Sequence, residues 1–193
     1  LRPAGVKVFG GTLLLVPGLK EEDFDAAAEA GVRLVKFIFY DYSLLPNGEA
    51  GRYVSWARDR GMKVKIHSGG VSRSGVSQVA GFDIVKKISP DVVGHITGGP
   101  IPMPEEDVDK IVSETDMFLE ICSSGNARMV LSLIRAVKSH GVFDRVLVGT
   151  DTPGGTGIIP RGMLREIAFL SSVNEVKSEV AIAMATGNVG RAH

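Results

Sequence analysis

The chain alternates short apolar runs with longer stretches in which apolar and polar residues recur at helical spacing. A short run rich in β-branched and aromatic residues, bounded by glycine or proline, reads as a strand; a longer run with a period of about 3.6 reads as a helix. On that basis residues 6–16 (VKVFGGTLLLV) read as a strand followed by a turn. Residues 33–40 (RLVKFIFY), 62–67 (MKVKIH), 91–95 (DVVGH), 117–122 (MFLEIC) and 145–150 (RVLVGT) are further strands. Helices are predicted over 21–30, 49–60, 82–88, from 104 onward, 127–140, 163–170 and 176–185. The punctuation agrees. Glu21, Glu22 and Asp23 sit where a helix dipole favours acidic residues, Gly31 and Gly61 follow helices as stops, and Pro104 occupies a favoured first-turn position.

Strands alternating with helices indicate βαβ units around a parallel sheet. Six such units leave two architectures, an open doubly wound sheet or most of a closed (β/α)₈ barrel, and periodicity does not choose between them. No G-x-G-x-x-G fingerprint follows the first strand, which weakens a dinucleotide-binding reading. The 193 residues form one domain with no linker or repeat beyond the βα alternation. A complete eight-stranded barrel typically needs about 250 residues.

Composition narrows the function classes. Lys+Arg and Asp+Glu are both 22, so nothing favours nucleic acid or an anionic membrane as partner. The longest apolar run falls far short of the roughly 20 residues of a membrane span. The single cysteine, Cys122, excludes an intrachain disulfide framework, reads as a small core residue and fits a reducing, cytoplasmic setting. The 24 glycines suit many tight strand-to-helix turns.

The candidate chemistry sits at strand ends. His67 closes MKVKIH and His95 closes DVVGH one βα unit later, each followed by Gly-Gly within a few residues. Two histidines at one register of adjacent parallel strands face one mouth, a workable geometry for one divalent cation. The alternative is that each caps its strand by bonding a loop carbonyl. Asp151 closes RVLVGTD, where a carboxylate can bind a metal and accept a proton from water; an Asx-turn before Pro153 is the competing reading. Lys36 lies between Val35 and Phe37, so apolar a setting that its amine must snorkel, be neutral or be modified, unless it faces solvent from an edge strand. Lys63 and Lys65 are expected to face outward. Glu120 either orients a loop or contacts substrate, or is a satisfied inward carboxylate, and His140 is a structural cation at a helix C-terminus.

Lys36, His67, His95 and Asp151 on successive βα units resemble the Lys-His-His-Asp ligand order of the amidohydrolase superfamily, whose (β/α)₈ barrel carries these residues on strands four, five, six and eight. The segments KVKIHSGG, DVVGHITGGP, EEDVDKIVSETD, GTDTPGGTGIIPRGMLREI and AIAMATGN carry the resemblance, from about Met62 to the C-terminus, and point to the cyclic-amide hydrolases of that superfamily. The resemblance implies a partial barrel holding strands three to eight. It implies His67 and His95 as ligands of one metal, Asp151 as ligand of the other and general base, and Lys36 as the bridging residue, in carboxylated form. Gly98, Gly99 and the loop beginning at Thr152 would line the pocket. The cofactors implied are divalent ions, zinc first with iron or manganese as alternatives: two in an intact enzyme, one or none in this chain. The substrate implied is a small molecule with a carbon–nitrogen bond.

One element of the pattern is missing. The superfamily's H-x-H pair on strand one does not occur, since the histidines are 67, 95, 140 and 193. With no initiator Met at Leu1, a fragment of a longer protein is expected, and a partial barrel's unpaired edges predict a homo-oligomer. Two other readings stay open: a catalytically incomplete remnant with a ligand-binding or scaffold role, and an open-sheet enzyme binding phosphate at its glycine turns.

Overall fold

A computed structural model of the chain describes residues 11–38, 48–70, 79–98, 101–123, 125–152, 154–155 and 157–193. Its strands are β1 (Leu13–Leu15), β2 (Leu34–Phe37), β3 (Lys63–His67), β4 (Val92–Gly94), β5 (Phe118–Cys122) and β6 (Val146–Gly149). The helices are α1 (Glu21–Glu29), α2 (Glu49–Asp59), α3 (Phe82–Ile88), α4 (Glu105–Glu114), α5 (Ala127–His140), α6 (Gly162–Ser172), α7 (Ser178–Ala185) and α8 (Gly187–Ala192). The expected strands and helices all appear; most are shortened at their ends, α3 and α5 keep the expected bounds, and α6 runs past the expected 163–170 at both ends. The expected strand start over 6–10 and strand end at 39–40 lie outside the described residues. The short helix α8 and a 3₁₀ turn at Phe143–Arg145 had no apolar period to announce them.

The six strands form one parallel sheet in the order β1-β2-β3-β4-β5-β6. Every crossover therefore lands on the next strand in the same direction. A doubly wound sheet reverses its strand order at a switch point; this one never does, and sequential order is that of a barrel. β1 and β6 are not paired with each other, so the barrel is open. No helix among the described residues is long and apolar enough to cross a membrane.

The two faces of the sheet have opposite chemistry. Leu15, Val35, Phe37, Val64, Ile66, Val93, Leu119, Ile121, Val146 and Val148 point toward the helices and are at most 3% exposed. With residues such as Phe24, Tyr53, Ile111 and Leu133 from the helices they form the main core. The period-two alternation of each strand sends the intervening residues to the concave side. There Val92 and Leu147 pack with Ala192 of α8, while Lys36, Lys65, His67 and Glu120 supply polar groups. Asn188 ties α8 beneath β6 by donating through Nδ2 to the carbonyls of Phe143 (2.9 Å) and Val146 (2.8 Å).

Candidate metal centre

His67 is the last residue of β3, and His95 follows β4 directly. Their rings meet edge to face, with centroids 4.1 Å apart and planes at 86°. His95 reaches this position with φ of +33°, and Asp151, just beyond β6, has φ of +55°. Both values lie in the left-handed region that residues with a Cβ seldom occupy, a strain that proteins retain chiefly at functional sites. The turn after β4 is tight, with the Gly98 N–H donating to the His95 carbonyl at 2.6 Å. The loops after β3 and β4 interlock: Gly69 exchanges two backbone hydrogen bonds with Ala80, and the Gly70 N–H donates to the Ile101 carbonyl. A Cβ on Gly69 would stand 2.6 Å from the Ile101 carbonyl oxygen, and one on Gly98 would stand 2.5 Å from Pro102 Cα. The glycines that follow each histidine let the loops close against each other.

The electrostatics favour neutral imidazoles. Burial, then the proximity of His95 and Lys36, pushes His67 down to about 3. Burial and Lys36 push His95 down to about 4. Both ring nitrogens of His67 and Nδ1 of His95 are buried and complete no hydrogen bond; the weak pull of the Gly70 backbone on His67 does not reverse its shift. Orphaned buried acceptors are rare in native proteins and need an explanation. Neutral imidazoles with lone pairs turned into a buried space are the donors that zinc and similar divalent ions take. These residues fit a metal.

Lys36 lies in β2, an interior strand, beside Lys65 in register. Burial and the Lys65 ammonium push its amine down, against the pull of Glu120 and Asp151. Asp151 acts electrostatically on both Lys36 and His67, which puts its carboxylate at the same rim. Gly155 closes against that carboxylate, in space that a Cβ would fill, and its N–H donates to the Asp151 carbonyl at 2.9 Å. The structure thus brings His67 and His95 into contact and sets Lys36 and Asp151 within electrostatic reach. It does not draw three or more His, Cys, Asp or Glu side chains into one metal-binding group among the described residues. Of the expected pocket residues, Thr152 is exposed, Gly98 is buried against Pro102, and Gly99 lies outside the described residues.

Lys65 corrects the sequence reading. It does not face outward: it lies on the concave side, 14% exposed, and its Nζ is 2.5 Å from Glu120 Oε1. Alternation along KVKIH required this, because Lys65 and His67 share a face. Lys63 stays half-exposed, 3.7 Å from Asp91. Glu120 is a satisfied inward carboxylate: burial pushes it up, but Lys65 and the His95 N–H outweigh burial and hold it below the ordinary carboxylate range. Cys122 is buried beside it, as expected of a core residue.

No family model matches the chain. It is 42% identical to enamidase of Eubacterium barkeri over 187 residues, covering 97% of this chain and 48% of that relative. Its fold superposes on the crystal structure of enamidase, described as a member of the amidohydrolase superfamily, with a TM-score of 0.88 and 40% identity. That match takes in all of this chain and 49% of the enamidase chain. The chain spans about half the length of the relative it matches. Over that half, strand order, fold and sequence agree, and the chain belongs to the amidohydrolase superfamily.

Proposed function

We propose that the chain carries part of the active site of a metal-dependent hydrolase of carbon–nitrogen bonds, with a cyclic amide as its substrate class. The observation that carries this reading is the pair of neutral imidazoles in contact, with both nitrogens of His67 and Nδ1 of His95 buried without hydrogen-bond partners. The likeness to a protein named enamidase supports the bond type. His67 and His95 would hold the ion, with Lys36 and Asp151 completing its surroundings. A divalent ion there supplies Lewis acidity, which brings the acidity of a bound water from 15.7 to about 7.

The chain's own residues would do the rest. Asp151 takes the proton of the attacking water as its oxygen adds to the amide carbonyl, then delivers that proton to the leaving nitrogen as the C–N bond breaks. Asp151 is held for this by its left-handed turn and by Gly155. Thr152 and the following loop would contact the ring of the substrate. In the full-length protein, Asp151→Asn or His95→Ala is expected to lower kcat at least about a hundredfold, the scale of a lost general base. Near-normal turnover in either variant rules the reading out.

A second reading has one observation in its favour: no set of three metal-binding side chains gathers among the described residues. On that reading the barrel is a ligand-binding or scaffold remnant. Metal analysis separates the two, since one or two tightly held divalent ions per full-length chain support the hydrolase and none supports the remnant.

A further inference from the structure

Three successive strands cooperate on the concave face. Lys65 of β3 reaches past β4 to Glu120 of β5, Nζ to Oε1 at 2.5 Å, and the two side chains are 14% and 15% exposed. The path is open because the residue between them on β4 is Gly94. A Cβ there would stand 2.6 Å from Lys65 Cε and 2.7 Å from the Ile66 carbonyl oxygen. The other oxygen of Glu120 does not go to a second cation. Oε2 accepts the backbone N–H of His95 at 3.0 Å, and the Glu120 carbonyl accepts the next N–H, that of Ile96, at 2.9 Å. Glu120 therefore receives consecutive N–H groups across the point where the backbone enters its left-handed turn at His95.

We infer that Glu120 is a positioning residue of the site: anchored by Lys65 across Gly94, its carboxylate fixes the backbone of His95 in the turn that sets its imidazole against His67. The inference rests on the reading of His67 and His95 as metal ligands. A buried ion pair by itself contributes little net stability, so an isolated pair gives no reason for the second oxygen to meet the one N–H whose residue carries an imidazole in a strained turn. Residues outside the ligand set commonly orient ligands by bonding the ring; here the hold is on the ligand's backbone.

Two double variants isolate that hold. Lys65→Met with Glu120→Gln, and Lys65→Met with Glu120→Leu, both remove the ion pair and keep the volume, but only glutamine offers the His95 N–H an acceptor. Zinc affinity in the full-length protein is read by competition with a chromophoric chelator, and ligand geometry by cobalt(II) absorption. The glutamine pair is expected within about threefold of wild type. The leucine pair is expected about 10- to 100-fold weaker, the usual effect of losing an outer partner, with a changed cobalt spectrum and a lower unfolding midpoint than the glutamine pair, because the buried His95 N–H is left without its acceptor. If the leucine pair does not fold, Glu120→Met in the same background serves the same comparison. Equal zinc affinity in the two double variants, whether kept or lost, overturns the inference and leaves the metal-site reading standing. Failure of the wild-type protein to bind zinc overturns both.

Discussion

If His67 is there to hold a cation, it is a burden on the protein stripped of divalent ions, and His67→Leu should stabilise that form. Two of its polar atoms are buried without partners, in a ring 4.1 Å from a second imidazole. A buried polar group left unsatisfied costs about 1–3 kcal/mol. Leucine fills a similar volume with no polar atom, and losing the ring's contacts with His95 offsets part of the gain. The expected net change is about 1–3 kcal/mol in favour of the variant at pH 7. With a urea slope of about 2 kcal/mol per molar, the midpoint of chelator-treated protein rises by roughly 0.5–1.5 M. Zinc then inverts the comparison. At a thousandfold excess over its dissociation constant a bound ion adds about 4.1 kcal/mol, which wild type gains and the variant does not. The assay is urea unfolding of both proteins, with chelator and with zinc. A lower midpoint for the variant in chelator refutes the reasoning, because it means the ring is a net stabilising element.

The same histidines set a pH dependence. Their folded values, about 3 for His67 and about 4 for His95, lie below the ordinary 6.5, so the unfolded chain takes up protons that the folded one refuses. Metal-free stability should be full above about pH 6.5, fall by up to about 1.4 kcal/mol per histidine per pH unit on acidification, and level off near pH 3 to 4; unfolding midpoints flat from pH 7 to 4.5 contradict this. Arg145→Ala should destabilise by about 2–3 kcal/mol, because the guanidinium donates to the carbonyls of Val112 and Met117 at 3.0 Å each and closes the end of α4; thermal unfolding within a degree of wild type contradicts it. Gly155→Ala forces a Cβ onto the Asp151 carboxylate and should lower kcat at least about tenfold through misplacement with little change in melting temperature; unchanged kcat refutes that contact's role.

Much of this protein is written into local pattern. The order of strands and helices, the parallel sheet and the placement of His67, His95 and Asp151 at strand ends all follow from period-two runs, helical runs and glycine stops, because these signals act over a few residues. Even the burial of Lys65 is contained in its alternation with His67, against the expectation that it faces outward. Local pattern has no access to which strands become neighbours. Only the folded sheet excluded the doubly wound order, since both orders use the same βα units. Only the folded sheet set two imidazole centroids 4.1 Å apart and left three of their nitrogens buried without hydrogen-bond partners. The reach of Lys65 over Gly94 to Glu120 depends on three strands lying side by side, and residues 55 positions apart carry no local signal of one another. Contacts between strands are settled by how helices and sheet share one core, and that packing has no period in the chain.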